Sequence, residues 1–238
     1  MTSQNQEALS CPALLHLSGS GMQDCALSVG FGFLVAVLLL GIRTRWVLRG
    51  YARPRSRKKD GLSLLVVAGS GGHTTEMLRL LGKLSTQYST KYYVLAETDT
   101  MSEERIRSFE RSKVTGIEKS MYSIHHIPRS REVRQSWSSS LLTSIKSTLH
   151  CLPLTVRLRP DVILCNGPGT CVPICLCALL LGIIGMKNIT VVYVESICRV
   201  ESLSLTGRIL YYFSNLFIVQ WPLLKEKYPK SIYLGRLV

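Results

Sequence analysis

The chain has 238 residues, of which 46% are hydrophobic and 18% charged, and its formal net charge is +14. This composition excludes an intrinsically disordered chain, and the length allows one ordinary domain besides a membrane anchor. A nucleic-acid-binding surface is not expected either, because the basic residues cluster in one short segment and do not alternate with aromatic residues over a folded surface.

A long apolar run near the start of the chain predicts a membrane-spanning helix. Residues 26–42 contain no charged side chain, and extending the run to residues 25–48 reaches the length of about 20 residues that spans the hydrocarbon core. Trp46 then falls at the interface, where its ring is favoured. A cleaved signal peptide would carry positive charges before its apolar core, whereas this chain has no Lys or Arg before Arg43.

The placement of the basic residues predicts how the chain is arranged about the membrane. Residues 43–59 hold eight of the 29 Lys and Arg residues and no acidic residue. Clustered basic residues bind anionic headgroups and remain on the cytosolic side. We therefore expect four regions in chain order: a short lumenal N-terminus (1–24), the transmembrane helix (25–48), a basic linker (49–60) and a cytosolic domain (61–238).

Beyond the linker, strand-like and helix-like segments alternate. The predicted strands are residues 62–68, 92–96, 122–127, 162–165, 189–194 and 216–219, the last strand of the domain. The predicted helices are residues 74–84, one opened by the capping box Thr100 to Glu103, 138–158 with an interruption near Pro153, 171–186 and 205–214. This alternation predicts an α/β fold, a single Rossmann-like domain with a parallel sheet covered on both faces.

Two of the predicted helices differ in character. The helix at residues 74–84 is amphipathic, with Met77 and Leu80 on its apolar face and Glu76 off that face. The segment 171–186 is apolar throughout, but its length is short for a second membrane span. We interpret it as a buried helix or as one that touches the bilayer surface.

Six of the eight cysteines follow the linker and lie in apolar surroundings. They are Cys151, Cys165, Cys171, Cys175, Cys177 and Cys198. In a reducing compartment such residues are expected to be mostly buried thiols. No His or acidic residue alternates with Cys171, Cys175 and Cys177, so the sequence predicts no metal site.

The strongest local signal is a glycine-rich turn between the first predicted strand and the first predicted helix of the domain. The turn comprises Gly69, Ser70, Gly71, Gly72, His73 and Thr74. Its glycines let the backbone approach a ligand closely, and the free N–H groups of the helix start favour a phosphate. His73 lies where a ring nitrogen can reach a bound hydroxyl or phosphate, although a tight turn with a capping histidine would give the same pattern.

The same turn partly meets the dinucleotide-binding fingerprint. Gly69 and Gly71 fit its first two glycines, but Thr74 occupies the third position. Glu97 or Asp99, after the second strand, would be the acid that binds the ribose. This leaves a membrane-tethered NAD(P)-binding oxidoreductase as an alternative function.

Two further polar turns follow predicted strands. The second turn comprises Asn166, Gly167, Pro168, Gly169 and Thr170, and the third begins with Glu195 and Ser196. Because the carboxyl ends of parallel strands meet at one edge of a sheet, we expect the three turns to form a ligand site there. Three arginines after the third strand either bind pyrophosphate or lipid headgroups or form a solvated face: Arg129, Arg131 and Arg134.

These turns resemble those of the acceptor-binding N-terminal domain of GT-B glycosyltransferases. One similar protein is the bacterial N-acetylglucosaminyltransferase of the lipid-linked peptidoglycan precursor, which has a Gly-Gly-His turn, a second glycine-rich turn and a glutamate that ends a later strand. A closer resemblance, over residues 62–238, is to the membrane-anchor subunits of the eukaryotic UDP-N-acetylglucosamine transferase of asparagine-linked glycosylation. It is carried by residues 166–170, 194–201, 220–222 and 233–236.

The resemblance implies a function. The chain would be the membrane-anchoring, acceptor-side subunit of a heteromeric transferase, inactive alone, on the cytosolic face of the endoplasmic reticulum and also at the nuclear envelope. A soluble catalytic subunit, the thirteenth member of the pathway series, would bind UDP-GlcNAc. The complex would add the second GlcNAc, in β1,4 linkage, to dolichyl-diphosphate-GlcNAc. Further expected partners are the first GlcNAc-phosphotransferase and the mannosyltransferases of the pathway, and no cofactor is expected.

Roles for individual residues follow from the reaction and the resemblance. An inverting transfer needs a base, for which His73 is the first candidate and Glu195 an alternative or orienting group. The substrate-binding residues are those of the first turn other than His73, all five of the second turn, and Ser196 and Arg199. The partner-binding residues form the C-terminal tail: Tyr233, Leu234, Gly235, Arg236, Leu237 and Val238.

The size of the predicted domain agrees with half of an enzyme. A GT-B enzyme has two nucleotide-fold domains with the active site between them, and residues 61–238 suffice for one such domain. Another alternative is a pure scaffold, in which the three turns have only a structural role.

Overall fold

The computed structural model describes residues 17–49, 61–84, 87–113, 121–128 and 137–238. The chain divides into two compact units, Met1–Trp46 and Val47–Val238. Several predictions lie outside the described residues: those for residues 1–16, for the linker residues 50–60, and for Arg129, Arg131 and Arg134.

The apolar run near the start of the chain lies within one helix, α1 (Leu17–Arg49), which begins before the predicted start at residue 25. Within it, the 19 residues of Val29–Val47 are apolar enough to cross a membrane, and a helix of that length rises about 28 Å. The guanidinium carbon of Arg43 lies 5.1 Å from the ring centroid of Trp46. This pairing of a cation with an amphipathic ring suits the membrane interface.

The second unit contains a seven-stranded sheet in the order β3-β2-β1-β4-β5-β6-β7, in which every neighbouring pair is parallel. The strands are β1 (Leu62–Val67), β2 (Tyr88–Ala96), β3 (Met121–Ile127), β4 (Val162–Asn166), β5 (Thr190–Val194), β6 (Leu216–Val219) and β7 (Ile232–Tyr233). The chain runs outward from β1 to β3 and then returns to β4 on the other side of β1. The strand order therefore reverses between β1 and β4.

Helices connect the strands and cover both faces of the sheet. They are α2 (Gly72–Gly82), α3 (Thr100–Lys113), α4 (Trp137–Leu158), α5 (Cys171–Ile184), α6 (Leu205–Phe213) and α7 (Pro222–Lys227). The alternation of parallel strands and helices confirms the predicted Rossmann-like α/β fold.

The predicted cap of α3 is wrong by one residue. Thr100 is the first residue of the helix, and the carboxylate of Asp99 accepts a hydrogen bond from the backbone N–H of Ser102 at 3.2 Å. Asp99 is therefore the cap, since an N-cap side chain accepts from the backbone two or three residues later.

Two further predictions about elements are wrong. Helix α4 continues through Pro153, because a proline removes only one hydrogen bond of a helix that also packs against α5. Strand β6 is not the last strand, since β7 pairs Ile232 with Ile218 and Tyr233 with Val219. A strand of two residues is too short to show a periodic pattern.

Alternate residues of β1 face the two helical layers. Leu65 packs in a cluster that contains Ile174 of α5, whereas Leu64 packs in a cluster that contains Met77 of α2. Because both faces are covered, the side chains from Leu64 to Val67 are at most 1% exposed. Burial of such a side chain contributes about 1.5–3 kcal/mol relative to exposure, so the strand is a rigid base for the turn that follows it.

Most residues of helix α5 are buried, as expected of a helix that covers the sheet, whereas Leu180 and Ile184 near its end are exposed. The prediction for the cysteines is confirmed, because five of the six are buried free thiols and Cys198 is exposed. Burial raises the pKa of the Cys151 thiol to about 11 and that of Cys177 to about 12. These thiols remain protonated at neutral pH and act as small apolar side chains of the core.

Candidate functional site

The three polar turns meet at one edge of the sheet. The first turn (residues 69–74), the second turn (166–170) and the third turn (195–204) follow the adjacent strands β1, β4 and β5. The strand register places Val67 beside Cys165 and Cys165 beside Tyr193, so the strands end at the same level. The first and second turns flank the point where the strand order reverses, and α/β sheets bind ligands in the crevice at such a point.

The first and second turns contact each other through glycines. A Cβ atom at Gly69 would lie 2.8 Å from Cγ of Pro168, and a Cβ atom at Gly167 would lie 2.7 Å from Nδ1 of His73. The φ angle of Gly167 is +73°, a conformation that residues with a side chain rarely adopt. Glycine is required at both positions because the second turn lies directly against the first turn and the ring of His73.

Asn166 links these two turns through its amide group. It is fully buried at the end of β4. Its Oδ1 lies 3.2 Å from Nδ1 of His73. Its Nδ2 donates to Oε2 of Glu76 at 2.9 Å and to the carbonyl oxygen of Val194 at 3.3 Å. The amide is thereby held in one orientation beside the imidazole.

Glu76 is a candidate site residue that sequence reasoning missed. Helix periodicity places it off the apolar face of α2, yet it is only 9% exposed. Its Oε1 accepts from the hydroxyl of Ser196 at 2.8 Å, and its Oε2 accepts from Asn166. One carboxylate on α2 thus joins the second and third turns. The signal that could have indicated this role is the spacing of three residues from His73, which puts both side chains on one helix face.

The carboxylate of Glu195 is fully occupied by hydrogen bonds at the end of β5. Its Oε2 accepts from the backbone N–H and the hydroxyl of Ser204 at 3.1 and 3.2 Å. Its Oε1 accepts from the backbone N–H of Ser196 at 3.2 Å and from the hydroxyl of Tyr193 at 3.4 Å. Burial raises the pKa of Glu195, and the hydrogen bonds from Ser204, Ser196 and Tyr193 oppose that rise.

Ser204 also caps helix α6, because its hydroxyl accepts from the backbone N–H of Gly207 at 2.9 Å. Glu195 and Ser204 together fix the start of α6 below the third turn. This geometry gives Glu195 a structural role and leaves His73 as the better candidate for a base.

Contacts inside the first turn count against the oxidoreductase alternative. Thr74, at the third position of the dinucleotide fingerprint, is buried, and its hydroxyl donates to the carbonyl oxygen of Gly69 and lies 2.7 Å from Oγ of Ser102. Asp99, one of the two candidate ribose-binding acids, caps α3. Both positions are thus occupied by internal packing of the domain.

A cleft of about 310 Å³ opens between the three turns. It is lined by Gly72, His73, Glu76, Gly167, Glu195, Ser196, Cys198, Arg199 and Ser204. Six of these were predicted site residues, whereas Glu76, Cys198 and Ser204 were not. The volume suits a small polar ligand, and the exposed Arg199 supplies a positive charge at the rim.

The other predicted residues of the turns do not line this cleft. Gly69, Thr74, Asn166 and Thr170 are buried, Pro168 is half-buried, and Ser70, Gly71 and Gly169 are exposed. Gly71 immediately precedes helix α2, so the first backbone N–H groups of α2 lie beside the cleft. At the start of α5, after Thr170, the N–H groups of Cys171 and Val172 instead donate to the carbonyl oxygens of Pro168 and Gly169.

The end of the predicted tail folds back toward the third turn. The backbone N–H groups of Leu237 and Val238 donate to Oε1 of Gln220 at 3.0 and 3.3 Å. The Nε2 atom of the same Gln220 donates to the carbonyl oxygen of Glu195 at 2.9 Å. A short series of hydrogen bonds therefore connects the tail to the edge that carries the cleft.

The start of the tail is more exposed than its end. Tyr233 and Leu234 are exposed apolar side chains, while the guanidinium carbon of Arg236 lies 4.2 Å from the ring centroid of Trp221. The tail thus combines a hydrogen-bonded backbone with exposed apolar side chains.

No group of three or more His, Cys, Asp or Glu side chains that could hold a metal ion occurs among the residues that the structure describes. The sulfur atoms of Cys165 and Cys175 lie 3.6 Å apart in the core. Burial raises the pKa of Cys165 well above its ordinary value, which favours the protonated thiol over the thiolate that a metal requires.

Sequence comparison relates the chain to proteins of oligosaccharide synthesis. Residues 64–237 match the family described as "Oligosaccharide biosynthesis protein Alg14 like". The chain is 58% identical over 208 residues to the UDP-N-acetylglucosamine transferase subunit ALG14 of Homo sapiens, with 86% of this chain and 94% of the human protein covered. It is 46% identical over 191 residues to the subunit of the same name in Schizosaccharomyces pombe, with 79% and 89% covered.

Structural comparison finds the same fold in two solved structures. MurG of Acinetobacter baumannii aligns with a TM-score of 0.50 and 19% identity over 68% of this chain and 42% of MurG. A UDP-N-acetylglucosamine 2-epimerase aligns with a TM-score of 0.51 and 16% identity over 71% of this chain and 43% of the epimerase. The chain spans less than half the length of either protein, and the likeness confirms the Rossmann-like fold of the domain.

Proposed function

The chain belongs to the Alg14-like family of oligosaccharide biosynthesis proteins, and we propose that it is the membrane-anchoring, acceptor-side subunit of a UDP-N-acetylglucosamine transferase. The human and fission-yeast relatives are UDP-N-acetylglucosamine transferase subunits, which supports the role of a transferase subunit. The single observation that carries the acceptor-side role is the cleft, where His73 and Arg199 lie among three turns at the point of strand reversal.

The proposed acceptor is dolichyl-diphosphate-GlcNAc. Its diphosphate would bind at the start of α2, whose free N–H groups favour anions, with Arg199 at the rim as a countercharge. The GlcNAc would then occupy the cleft with its 4-hydroxyl toward His73. The exposed glycines Gly71 and Gly169 suit this role because they permit close approach of the backbone to the phosphates.

The proposed reaction is an inverting transfer that forms a β1,4 linkage. The 4-hydroxyl oxygen of the acceptor GlcNAc attacks C1 of the donor sugar and forms the new C–O bond. The bond between C1 and the β-phosphate oxygen breaks, and UDP leaves with the electron pair. His73 takes the proton of the attacking hydroxyl as general base. Glu195 is poorly suited to that step because four hydrogen bonds already occupy its carboxylate.

We further propose that α1 anchors the chain in the endoplasmic reticulum membrane, and also at the nuclear envelope, with residues 1–24 lumenal and the domain cytosolic. Support comes from the 19-residue apolar segment Val29–Val47 and from the basic residues that follow it. A tether of this kind keeps the cleft close to a lipid-linked acceptor.

The donor would come from a soluble UDP-GlcNAc-binding subunit, the thirteenth member of the pathway series, bound at the tail. The exposed side chains of Tyr233 and Leu234 support this role, because apolar side chains on an ordered backbone are typical of an interface. The first GlcNAc-phosphotransferase and the mannosyltransferases of the pathway are proposed as further partners at the membrane.

Reconstitution tests the proposed function. The full chain is placed in lipid vesicles with and without the soluble subunit, and transfer of GlcNAc from UDP-GlcNAc to a lipid-diphosphate-GlcNAc is measured. We expect transfer only when both subunits are present. Transfer by the chain alone would contradict the subunit role, and no transfer by the complex would contradict the proposed reaction.

A second arm separates an acceptor subunit from a pure scaffold. The variants carry substitutions at His73 and Asn166, or lack residues 233–238. If transfer survives the substitutions and is lost only on removal of the tail, the turns have a structural role and the scaffold alternative is correct.

A further inference from the structure

We propose that Glu76 is a positioning residue which, through Asn166, holds the neutral imidazole of His73 with its proton on Nδ1 and its lone pair on Nε2. The inference rests on the proposed role of His73 as a base. It concerns the tautomer alone, however, and the tautomer can be measured without any transfer reaction.

The first step is the orientation of the Asn166 amide. The two groups on one side of this amide, Oε2 of Glu76 at 2.9 Å and the carbonyl oxygen of Val194 at 3.3 Å, both accept hydrogen bonds. A side-chain amide has two N–H donors on its nitrogen and only acceptors on its oxygen. The nitrogen of Asn166 must therefore face Glu76 and Val194, and its oxygen must face His73.

The second step is the protonation of His73. Oδ1 of Asn166 lies 3.2 Å from Nδ1 of His73, and an amide oxygen can only accept. Nδ1 of His73 must therefore carry the proton and donate. In the neutral ring the other nitrogen, Nε2, is then unprotonated, which is the form required of a general base. The second turn lies against the ring at Gly167, where a Cβ atom would overlap the imidazole.

The third step is why Glu76, and not Asn166 alone, decides the orientation. Without an acceptor at Glu76, the amide of Asn166 would keep only the weaker contact to Val194 and could turn its nitrogen toward His73. His73 would then have to accept at Nδ1 and carry its proton on Nε2. Glu76 is itself held in place, because the hydroxyl of Ser196 donates to its Oε1 at 2.8 Å.

Nitrogen NMR of the histidine side chains measures this tautomer. The chain contains five histidines, and in the full chain labelled with ¹⁵N-histidine the His73 signals are assigned by their loss in His73→Ala. We expect Nδ1 of His73 to resonate as a protonated nitrogen and Nε2 as an unprotonated one. The opposite pattern in the unsubstituted chain would overturn the proposal.

Two substitutions at Glu76 then test its part in the tautomer. Glu76→Met keeps the approximate length of the side chain but removes both acceptors, so we expect a mixture of tautomers or the opposite one. Glu76→Gln keeps an oxygen that can accept from Asn166 while its nitrogen faces Oγ of Ser196, so we expect the original tautomer. An unchanged His73 tautomer in Glu76→Met would overturn the proposal.

Glu110→Gln is the matched control. Glu110 is a fully buried carboxylate of α3 that binds Lys91 at 3.0 Å and the hydroxyl of Tyr93, and it does not line the cleft. Its substitution should destabilise the domain, because the groups that bind this buried carboxylate lose their charged partner. We expect it to leave the tautomer of His73 unchanged, and a changed tautomer in this control would overturn the specific role of Glu76.

Transfer by the complex supplies a second readout. A base with the wrong tautomer loses its function, so we expect kcat of Glu76→Met to fall at least about tenfold with a smaller change in the acceptor KM. If the NMR result is as expected but the unsubstituted complex transfers no GlcNAc, the proposed function fails and the inference about the tautomer stands.

Discussion

Two buried glutamates line the same cleft, yet their carboxylates bind different parts of the domain. Glu195 receives four hydrogen bonds from Tyr193, Ser196 and Ser204, all within the third turn and the residues next to it. Glu76 receives its hydrogen bonds from Asn166 in the second turn and Ser196 in the third. One carboxylate secures a local turn and the start of α6, and the other, on α2, connects the second and third turns.

This difference shows that burial beside a cleft does not by itself identify a catalytic acid or base. Both carboxylates are buried, and the pKa of Glu195 is raised by burial, a property often found at active sites. What separates the two glutamates is their connection to a group that can react. Only Glu76, of these two, reaches His73 through a single residue, Asn166.

The largest effect is expected from removing the imidazole of His73, which Glu76 is proposed to position. His73→Ala should lower kcat of the reconstituted complex by about 100-fold or more, because general base catalysis contributes a factor of about 10² to 10⁴. The matched control is His150→Ala on α4, an exposed histidine outside the cleft, which should retain activity. Full transfer by His73→Ala would show that His73 is not the base and would remove the functional contrast between the two glutamates.

The next largest effect is expected from substitution of Glu195, and it is an effect on the stability of the fold. In Glu195→Gln, the N–H₂ group of the new side chain faces donors that bind the carboxylate in the unsubstituted chain. Because these donors lose their acceptor, the free energy of unfolding should fall by about 3 kcal/mol. Urea unfolding of the detergent-solubilised chain measures this, with the exposed Glu104→Gln as a control that should change it by less than about 0.5 kcal/mol. Equal stabilities of the two variants would contradict the structural role of Glu195.

A pair of glycine substitutions separates backbone strain from contact with His73. Gly71 and Gly167 both have positive φ angles, but a Cβ atom at Gly71 would meet open space whereas one at Gly167 would overlap the His73 ring. Gly71→Ala should therefore cost about 1–2 kcal/mol for its conformation alone. Gly167→Ala should cost about 1–2 kcal/mol more and displace the base as well. Equal losses of stability and activity would show that the second turn does not position His73.

The smallest effect is a dependence on pH. Because burial raises the pKa of Glu195, the folded chain holds that proton more tightly than the unfolded chain does. This contribution to stability is present below the unfolded-state pKa of about 4.3 and is lost as pH rises through the higher folded-state pKa. The unfolding midpoint of the unsubstituted chain, compared with that of Glu195→Gln, should fall over this range. A constant difference would contradict the raised pKa.

The sequence by itself determined the architecture of the domain and the edge that carries the site. Apolar strands such as residues 62–67, separated by amphipathic helices, predict a parallel sheet because both faces of each strand are buried. The glycine-rich turns after β1 and β4 are also evident in the sequence, because glycine in a strand-to-helix turn indicates a tight turn or a close approach of the backbone to another group. The polar residues after parallel strands then had to meet at one edge.

Only the tertiary structure decided which polar side chains face inward at that edge. Periodicity places Glu76 off the apolar face of α2, but it cannot tell whether solvent or another turn lies opposite. Glu76 binds the side chains of Asn166 and Ser196, which lie 90 and 120 residues further along the chain. The sequence also does not predict that Asp99 caps α3 or that Glu195 holds the start of α6, for a related reason. A carboxylate has the same identity in the sequence whether it binds a ligand or a backbone N–H group, and only its neighbours in space distinguish the two.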